Sequence, residues 1–444
     1  MNTKNNSQRF FTVAVVDTNG LLRGQKIAAS ALDSTLKNGL GMAPAQLALD
    51  PTDEILPIPG VTDDNSDFHD SILQIDESTR RTMPFERESD ATLYLAEFSG
   101  DAAGLCPRSL FRKQLARAAD MGLVPKYGFE QEFTLFNESS ETIASKGFDN
   151  LTTATPYCSH DLLLYQSLQS EFYSELADMC ETLGVNIAKM HEEIGGGFME
   201  ACISAGTTEE TADQVIMLRN FLKVFAMRRS QTVTYMPRWS EDADSQSSHI
   251  HISMLDTSGK PLFHDPANKH EMSDIFQHFM GGLQRYLPKM MLIFAPTVNS
   301  WRRYAEGTFA PPAFSWGIEN RTTCFRVVGH DANSFRVENR LPCSDSNPYL
   351  VMAATLAAGL SGIEEKLQPT EPTIGNGYLP GAAKGEPLHQ DMHSAIEAFS
   401  TSASARKWLG DSFVDAFVST RTAQHESFKD KTLIDERKRF FELG

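Results

Sequence analysis

The sequence predicts an α+β chain of two domains, in which several strands bury one face and line a polar space with the other. Three polar pairs spaced two apart lead to that reading: Glu130/Glu132, His249/His251 and Arg336/Glu338, the last continued by Arg340. In an extended strand, residues two apart share a face. The alternate positions here are apolar: Phe129 and Phe133, Ile250 and Ile252, then Phe335, Val337 and Leu341. One polar strand face ordinarily means only contact with water. Three of them, bearing carboxylates, imidazoles and arginines, point to an enclosed site for metal ions and anionic groups. Length adds a second observation, since 444 residues exceed one typical core and two domains are expected. The third is that these strands alternate with stretches of helical spacing.

Taken in order, residues 11–16 read as a buried strand, Asp17 to Gly20 as a turn and Arg23 to Ile27 as its hairpin partner. A helix-like stretch near 28–37 precedes a Pro-, Asp- and Gly-rich region, 51–70, which is too polar for core and longer than most connections. Strand signals return at 92–98, and Pro107 opens a helix carrying Leu110, Leu115 and Ala118. The domain boundary is placed near residue 104, giving domains 1–103 and 104–444. In the larger part, helical spacing marks 160–183 (Leu164, Leu168, Phe172, Leu176, Met179), 208–229, 271–292 and 348–366. Strands are expected near 126–136, 198–204, 248–254 and 324–341.

The formal charge of -18 and pI of about 5.1 argue against nucleic acid or an anionic membrane as a partner. Six scattered cysteines, Cys106, Cys158, Cys180, Cys202, Cys324 and Cys343, form no Cys-x-x-Cys pair and read as reduced. A polar start, Met1 to Arg9, and the lack of a membrane-length apolar run make the cytoplasm the expected compartment.

Glu193 and Glu200 bracket Ile-Gly-Gly-Gly-Phe-Met, where three glycines permit a tight backbone path. With Glu130, Glu132, Glu338 and His249 they supply five carboxylates and one imidazole, a set that suits Mg²⁺ or Mn²⁺ better than zinc. Arg302, Arg303, Arg321, Arg326, Arg336 and Arg340 fall in one short stretch, interleaved with Trp301, Trp316, Phe325 and Phe335. Divalent ions beside several arginines suit phosphoryl transfer, where charge must be neutralised. No phosphate-binding loop or dinucleotide fingerprint is present.

These segments resemble the glutamine synthetase family. Tyr127-Gly-Phe-Glu130-Gln-Glu132-Phe is similar to its paired-glutamate strand, and Glu193-Ile-Gly-Gly-Gly-Phe-Met-Glu200 to its second glutamate pair. Ser248-His249-Ile-His251-Ile-Ser253 resembles the His-x-His-x-Ser strand. Asn299-Ser300-Trp301-Arg302-Arg303, Asn320-Arg321 and Arg336-Val-Glu338-Asn-Arg340-Leu-Pro, followed by Asn347-Pro348-Tyr349, resemble its arginine-rich signatures. The resemblance implies a small N-terminal β-grasp domain and a catalytic domain with a curved antiparallel sheet flanked by helices. It further implies active sites between subunits of a homo-oligomeric double ring, usually a dodecamer. One metal would be held by Glu132, Glu193 and Glu200, the other by Glu130, His249 and Glu338. Arg303 and Arg340 would hold L-glutamate and Arg321 the transferring phosphoryl group, with Arg326, Arg336, His251 and Ser253 near ATP.

Departures from the family pattern shape the functional expectation. Ammonia-using members carry a glutamate before Ala-Pro, where this chain has Phe309 in Gly307-Thr308-Phe309-Ala310-Pro311. Phe198 replaces a usual glutamine, and Ser245 and Ser247 replace glycines beside the substrate. The aspartate that attracts the amine in the family falls among Asp63, Asp64 and Asp67, with Asp64 the candidate. No counterpart of the adenylylated tyrosine loop is apparent. The expectation is an ATP-dependent ligase joining methylamine or another small alkylamine to L-glutamate. γ-Glutamylpolyamine synthesis and then ordinary glutamine synthesis are the alternatives, with a guanidino kinase or a catalytically silent protein beyond those.

Overall fold

The computed structural model describes residues 9–64, 66–86, 91–156, 160–305 and 307–444; Met1 to Gln8 and Cys158 lie outside the described residues. A five-stranded sheet comes first, made of β1 (Phe10–Val16), β2 (Leu22–Ala28), β3 (Leu40–Met42), β4 (Ser71–Thr82) and β5 (Thr92–Phe98), in the order β2-β1-β5-β4-β3. Strands β1 and β5 run parallel at its centre, a β-grasp arrangement. Both faces of these two strands are buried. Phe11, Val13, Val15, Tyr94, Ala96 and Phe98 fill a small core, while Ala14, Val16, Leu93 and Leu95 join the large one. The period of two thus couples the small sheet to the rest of the chain.

The second sheet holds β6 (Leu123–Phe136), β7 (Ile187–Glu192), β8 (Phe198–Gly206), β9 (Thr232–Thr234), β10 (Ser248–Asp256), β11 (Trp316–Ile318), β12 (Phe325–Val328) and β13 (Arg336–Asn339). Its order is β11-β12-β13-β10-β6-β8-β7, with β9 paired to β6. Every pairing is antiparallel except β11 with β12. One face lies on helices. Pro348–Glu365 is apolar nearly all round and therefore buried. It crosses Asp274–Tyr286 so closely that a Cβ on Gly282 would stand 2.2 Å from the Ala358 carbonyl oxygen.

Several expected elements are divided. The single strand read over 324–341 is a hairpin, β12 and β13, turned at Gly329, whose φ of +109° is left-handed. The helix read over 271–292 ends at Tyr286 and passes into a 3₁₀ turn, because Pro288 lacks an N–H and its ring crowds the preceding turn. The helix read over 160–183 breaks at Gln169. Phe172, Leu176 and Met179 reach the core, but Leu164 and Leu168, on the separate turn Leu163–Leu168, are 64% and 71% exposed. β4 and β7 were not anticipated, since their alternate residues are charged rather than apolar. Among the described residues, no helix is long and apolar enough to cross a membrane.

A buried charge cluster joins the first sheet to the helices that pack on the second. Arg108 forms paired hydrogen bonds to Asp213 at 2.9 and 3.1 Å, and reaches Asp76 on β4 at 2.9 Å and Glu97 on β5 at 2.5 Å. Tyr349 donates its hydroxyl to Asp213 at 2.6 Å. Removing one partner of such a cluster leaves an uncompensated buried charge. Arg108→Met is therefore expected to destabilise the fold by about 3–5 kcal/mol, read as a lowered urea midpoint. An unchanged midpoint would show that the cluster contributes nothing to holding the first sheet on the helices.

Candidate active site

The polar face of the second sheet follows from alternation applied to each strand in turn. On β6, Tyr127, Phe129, Phe133 and Leu135 enter the core while Glu130 and Glu132 face away from it. Ile250, Ile252 and Met254 anchor β10 below His249 and His251. Met199, Ala201 and Ile203 anchor β8 below Glu200 and Cys202. Val337 anchors β13 below Arg336 and Glu338. Pairing register then sets neighbours: His249 opposite Glu130, Glu132 opposite Glu200, His251 opposite Glu338, Arg326 opposite Glu338 and His191 opposite Glu200.

These side chains line a cavity of about 510 Å³. All six residues expected as metal ligands, Glu130, Glu132, Glu193, Glu200, His249 and Glu338, are in its wall. So are Arg303, Arg321, Arg326, Arg340, Ser245 and Phe309. His251, Arg336 and Ser253 are not. His251 is nonetheless tied to the site, its Nε2 lying 2.8 Å from Glu130 and its Nδ1 accepting from Arg336 Nε at 3.0 Å. Asp64 lies on the exposed 51–70 loop, away from this wall. Its neighbours are occupied, Asp63 by the Gly60 amide at 2.7 Å and Asp67 by His69 at 2.6 Å.

The glycine triplet is required by space. Gly197 has a φ of +64°, and a Cβ there would stand 2.3 Å from the Leu135 carbonyl oxygen; one on Gly196 would stand 2.7 Å from Thr153 Oγ1. Only glycine lets the turn between Glu193 and Glu200 pass under the 153–155 segment.

Ligand atoms gather in two main groups. Those of Glu130, His251 and Glu338 lie within 4.8 Å of one another, as do those of His191, Glu193 and Glu200. His249 Nδ1 completes the first at 3.2 Å from Glu130 and 3.5 Å from Glu338. In the second group His191 stands where Glu132 was expected, 3.0 Å from Glu193, because the Glu132 carboxylate accepts the Ser247 amide. Spacing by two, continued from Lys189 through His191 to Glu193, was the signal for His191. His160, 3.4 Å from Glu193, comes from a loop with no such pattern.

Charge accumulates accordingly. Burial and the Glu193 charge push the Glu132 carboxyl up to about 8, and burial with the charges of Glu130 and Glu132 pushes Glu200 up to about 9. Burial opposes ionisation of Glu338 as well, but Arg340, at 2.5 Å, and the nearby imidazoles hold it at about 2. Burial and the Arg340 charge bring His249 down to about 4, so its ring is neutral at pH 7. The buried Nε2 of that ring has no hydrogen-bond partner among the described residues. A neutral imidazole among crowded carboxylates, two of them reluctant to ionise, fits divalent cations.

The arginines are held by backbone as much as by charge. Arg303, fully buried, donates to the carbonyls of Leu341 at 2.9 Å and Arg340 at 3.0 Å. Arg326 links Glu338 and Glu319, each at 2.7 Å. Arg321 is exposed at the cavity edge without a partner among the described residues. Ser245 donates to the Thr308 carbonyl at 3.0 Å, and the next residue, Phe309, holds a φ of +54° with its ring 57% exposed.

Comparison with known proteins matches this arrangement. Residues 104–440 match the family described as glutamine synthetase, catalytic domain. Over 441 residues the chain is 33% identical to type-1 glutamine synthetase 2 of Dictyostelium discoideum, spanning 98% of this chain and 84% of that protein. It is 29% identical over 411 residues to a glutamate–isopropylamine ligase of Pseudomonas sp, 92% of this chain and 90% of that one. A solved structure described as apo GmaS without ligand superposes with a TM-score of 0.82 at 25% identity, covering 97% of this chain and 96% of that chain. Since the matched region contains every strand of the polar sheet, the chain belongs to the glutamine synthetase family of ATP-dependent carbon–nitrogen ligases.

Proposed function

We propose that the chain joins a small alkylamine, methylamine first among them, to the γ-carboxylate of L-glutamate at the expense of ATP. The products are γ-glutamylmethylamide, ADP and phosphate. The observation that carries this reading is Phe309, an exposed aromatic ring on the wall of a cavity otherwise rich in carboxylates, imidazoles and guanidinium groups. A phenyl ring accepts no proton, but it offers apolar surface to a methyl group. The relative named as a glutamate–isopropylamine ligase supports an alkylamine nucleophile. The relative named as a glutamine synthetase supports ammonia as the second reading.

A carboxylate is a poor electrophile, so the γ-carboxylate oxygen of glutamate first attacks the γ-phosphorus of ATP and ADP leaves. The amine nitrogen then attacks the acyl carbon of γ-glutamyl phosphate, phosphate departs and the nitrogen gives up a proton. Arg303 and Arg340 hold glutamate, with Ser245 beside it. Arg321, free to move at the edge, meets the transferring phosphoryl group. Arg326, Arg336, His251 and Ser253 face ATP. Glu132, Glu193 and Glu200, with His191 adjacent, would hold one Mg²⁺ or Mn²⁺, and Glu130, His249 and Glu338 another. Bound there, the ions would neutralise phosphoryl charge. Residues 1–103 carry Asp64, which we assign to the cavity of a neighbouring subunit in a homo-oligomeric double ring, where it attracts the ammonium form of the amine. The compartment is the cytoplasm.

Phosphate release from ATP and L-glutamate, compared across ammonia, methylamine, ethylamine and putrescine at one pH, is expected to give the highest kcat/KM with methylamine. A clear preference for ammonia makes the protein a glutamine synthetase with an altered flap. Phe309→Glu is expected to move the methylamine-to-ammonia ratio of kcat/KM toward ammonia by about tenfold, the effect of about 1.4 kcal/mol. A ratio that does not move shows that the ring has no part in selection.

Cations must displace the protons that Glu132 and Glu200 hold up to about 8 and 9. Mn²⁺ affinity is therefore expected to rise by at least about tenfold from pH 6.5 to pH 9, with proton release seen by calorimetry in two buffers. Glu132→Ala should flatten that rise and abolish metal-dependent turnover. Equal affinity at both pH values in the unaltered protein would remove these carboxylates from the ligand set.

A further inference from the structure

Seven carboxylates line the cavity, and six are engaged. Glu130 meets His249 and His251, Glu132 the Ser247 amide, Glu193 and Glu200 meet His191, Glu338 meets Arg326 and Arg340, and Asp161 lies 3.8 Å from His160. Asp244 makes no hydrogen bond and no ion pair within 4.0 Å among the described residues; burial raises its pKa, and the charge of Arg238 opposes that rise only from a distance. The nearest arginine on its own segment, Arg238, spends its guanidinium on the carbonyls of Ser240, Glu241 and Arg302. Asp244 is half-buried and no strand carries it, so it lies outside the alternating pattern that assembles the metal groups.

Its position in the chain gives it a neighbour. The next residue, Ser245, donates its hydroxyl to the carbonyl of Thr308 at 3.0 Å, and Thr308 in turn anchors its own hydroxyl on the carbonyls of Arg303 and, at 2.7 Å, Ala305. The segment bearing Asp244 is thereby pinned to the segment bearing Phe309, and both side chains line the same cavity. One wall then offers an unpaired anion and an apolar ring. An alkylammonium ion presents the complementary pair, a cation at one end and a methyl or alkyl group at the other. Glutamate's γ-carboxylate and the phosphates of ATP are anions, which this carboxylate repels and the arginines of the cavity attract; glutamate's α-ammonium is the competing cation, which the glutamate KM below reports.

We propose that Asp244 is the amine-recognition residue of this chain's own site, pairing with the ammonium group of the incoming alkylamine while Phe309 covers its alkyl group. This deepens the ligase reading above and rests on it. The residue acts on binding: it concentrates the cation beside the acyl phosphate, a role distinct from that of Asp64, which belongs to another subunit's rim.

The test is steady-state kinetics on the full chain with methylamine, L-glutamate and ATP each varied in turn, for the unaltered protein, Asp244→Asn, Asp244→Glu and Asp64→Asn. Asp244→Asn keeps the shape and removes the charge. It is expected to raise the methylamine KM about tenfold, as loss of one charged contact would, while moving the glutamate KM by less than about twofold. Asp244→Glu should restore part of the methylamine KM, which separates charge from packing. A rise in the glutamate KM alone would assign Asp244 to the amino-acid substrate and overturn the proposal. An unchanged methylamine KM in Asp244→Asn, with Asp64→Asn raising it, would overturn it in favour of the rim aspartate. Unaltered protein that releases no phosphate with any amine would overturn the ligase reading, and this proposal with it.

Discussion

The register between β6 and its two neighbours is the constraint on which the site depends. His249 opposite Glu130 and Glu132 opposite Glu200 are consequences of which residue faces which across two antiparallel ladders. A slip of one residue would send Glu130 and Glu132 into the core and turn Phe129 and Phe133 to the cavity. Core packing forbids it. Tyr127, Phe129, Phe133, Leu135, Ile250, Ile252 and Met254 are all buried, and each contributes about 1.5–3 kcal/mol relative to exposure. The apolar face therefore fixes the polar one, although none of its residues touches the cavity.

That anchoring is needed because the polar face is costly. Five glutamates converge in about 510 Å³, and Glu132 and Glu200 resist ionisation up to about 8 and 9. One pKa unit corresponds to about 1.4 kcal/mol, so ionising both without a counter-charge costs on the order of several kcal/mol. The neighbouring strands β12 and β13 on the same face answer differently. Glu338 is ionised between Arg326 and Arg340, and His249 is kept neutral by burial and, after it, by the same Arg340 charge. Around Glu338 the arginines supply the counter-charge; around Glu132 and Glu200 no arginine stands within ion-pair distance among the described residues.

Alternation made much of this legible in the sequence. Each residue placed by the rule of two, from Glu130 to Arg340, faces away from the core, and all but His251, Ser253 and Arg336 reach the cavity wall. The same rule would have found His191, two before Glu193, had β7 been recognised, but its neighbours Lys189 and Met190 gave no apolar stripe. His160, Asp161 and Asp244 sit on loops, where no period links a residue to its target. The 64% exposure of Leu164 shows the converse failure, a helical spacing that persists in sequence after the helix has broken at Gln169. The β-grasp sheet was read only through its hairpin and last strand, because β4 alternates with charge and carries an irregularity between Asp76 and Arg81.

Loops, then, are where this chain departs from a site made by strands alone, and they are where selectivity belongs. The sheet supplies charge for glutamate and ATP, which any ligase of this family must handle, and its geometry is overdetermined by the core. In the proposed reaction the amine would meet a different surface. Phe309 and Asp244 lie on segments joined by one hydrogen bond, Ser245 to Thr308, and neither side chain is held by the ladder. In the reading proposed above, substitution at either position would alter which amine approaches, since neither side chain belongs to the strands that carry the carboxylates. The serine at 245 makes that join: its hydroxyl forms the bond that a glycine in the same place could not, and it thereby ties the loop bearing Asp244 to the loop bearing Phe309.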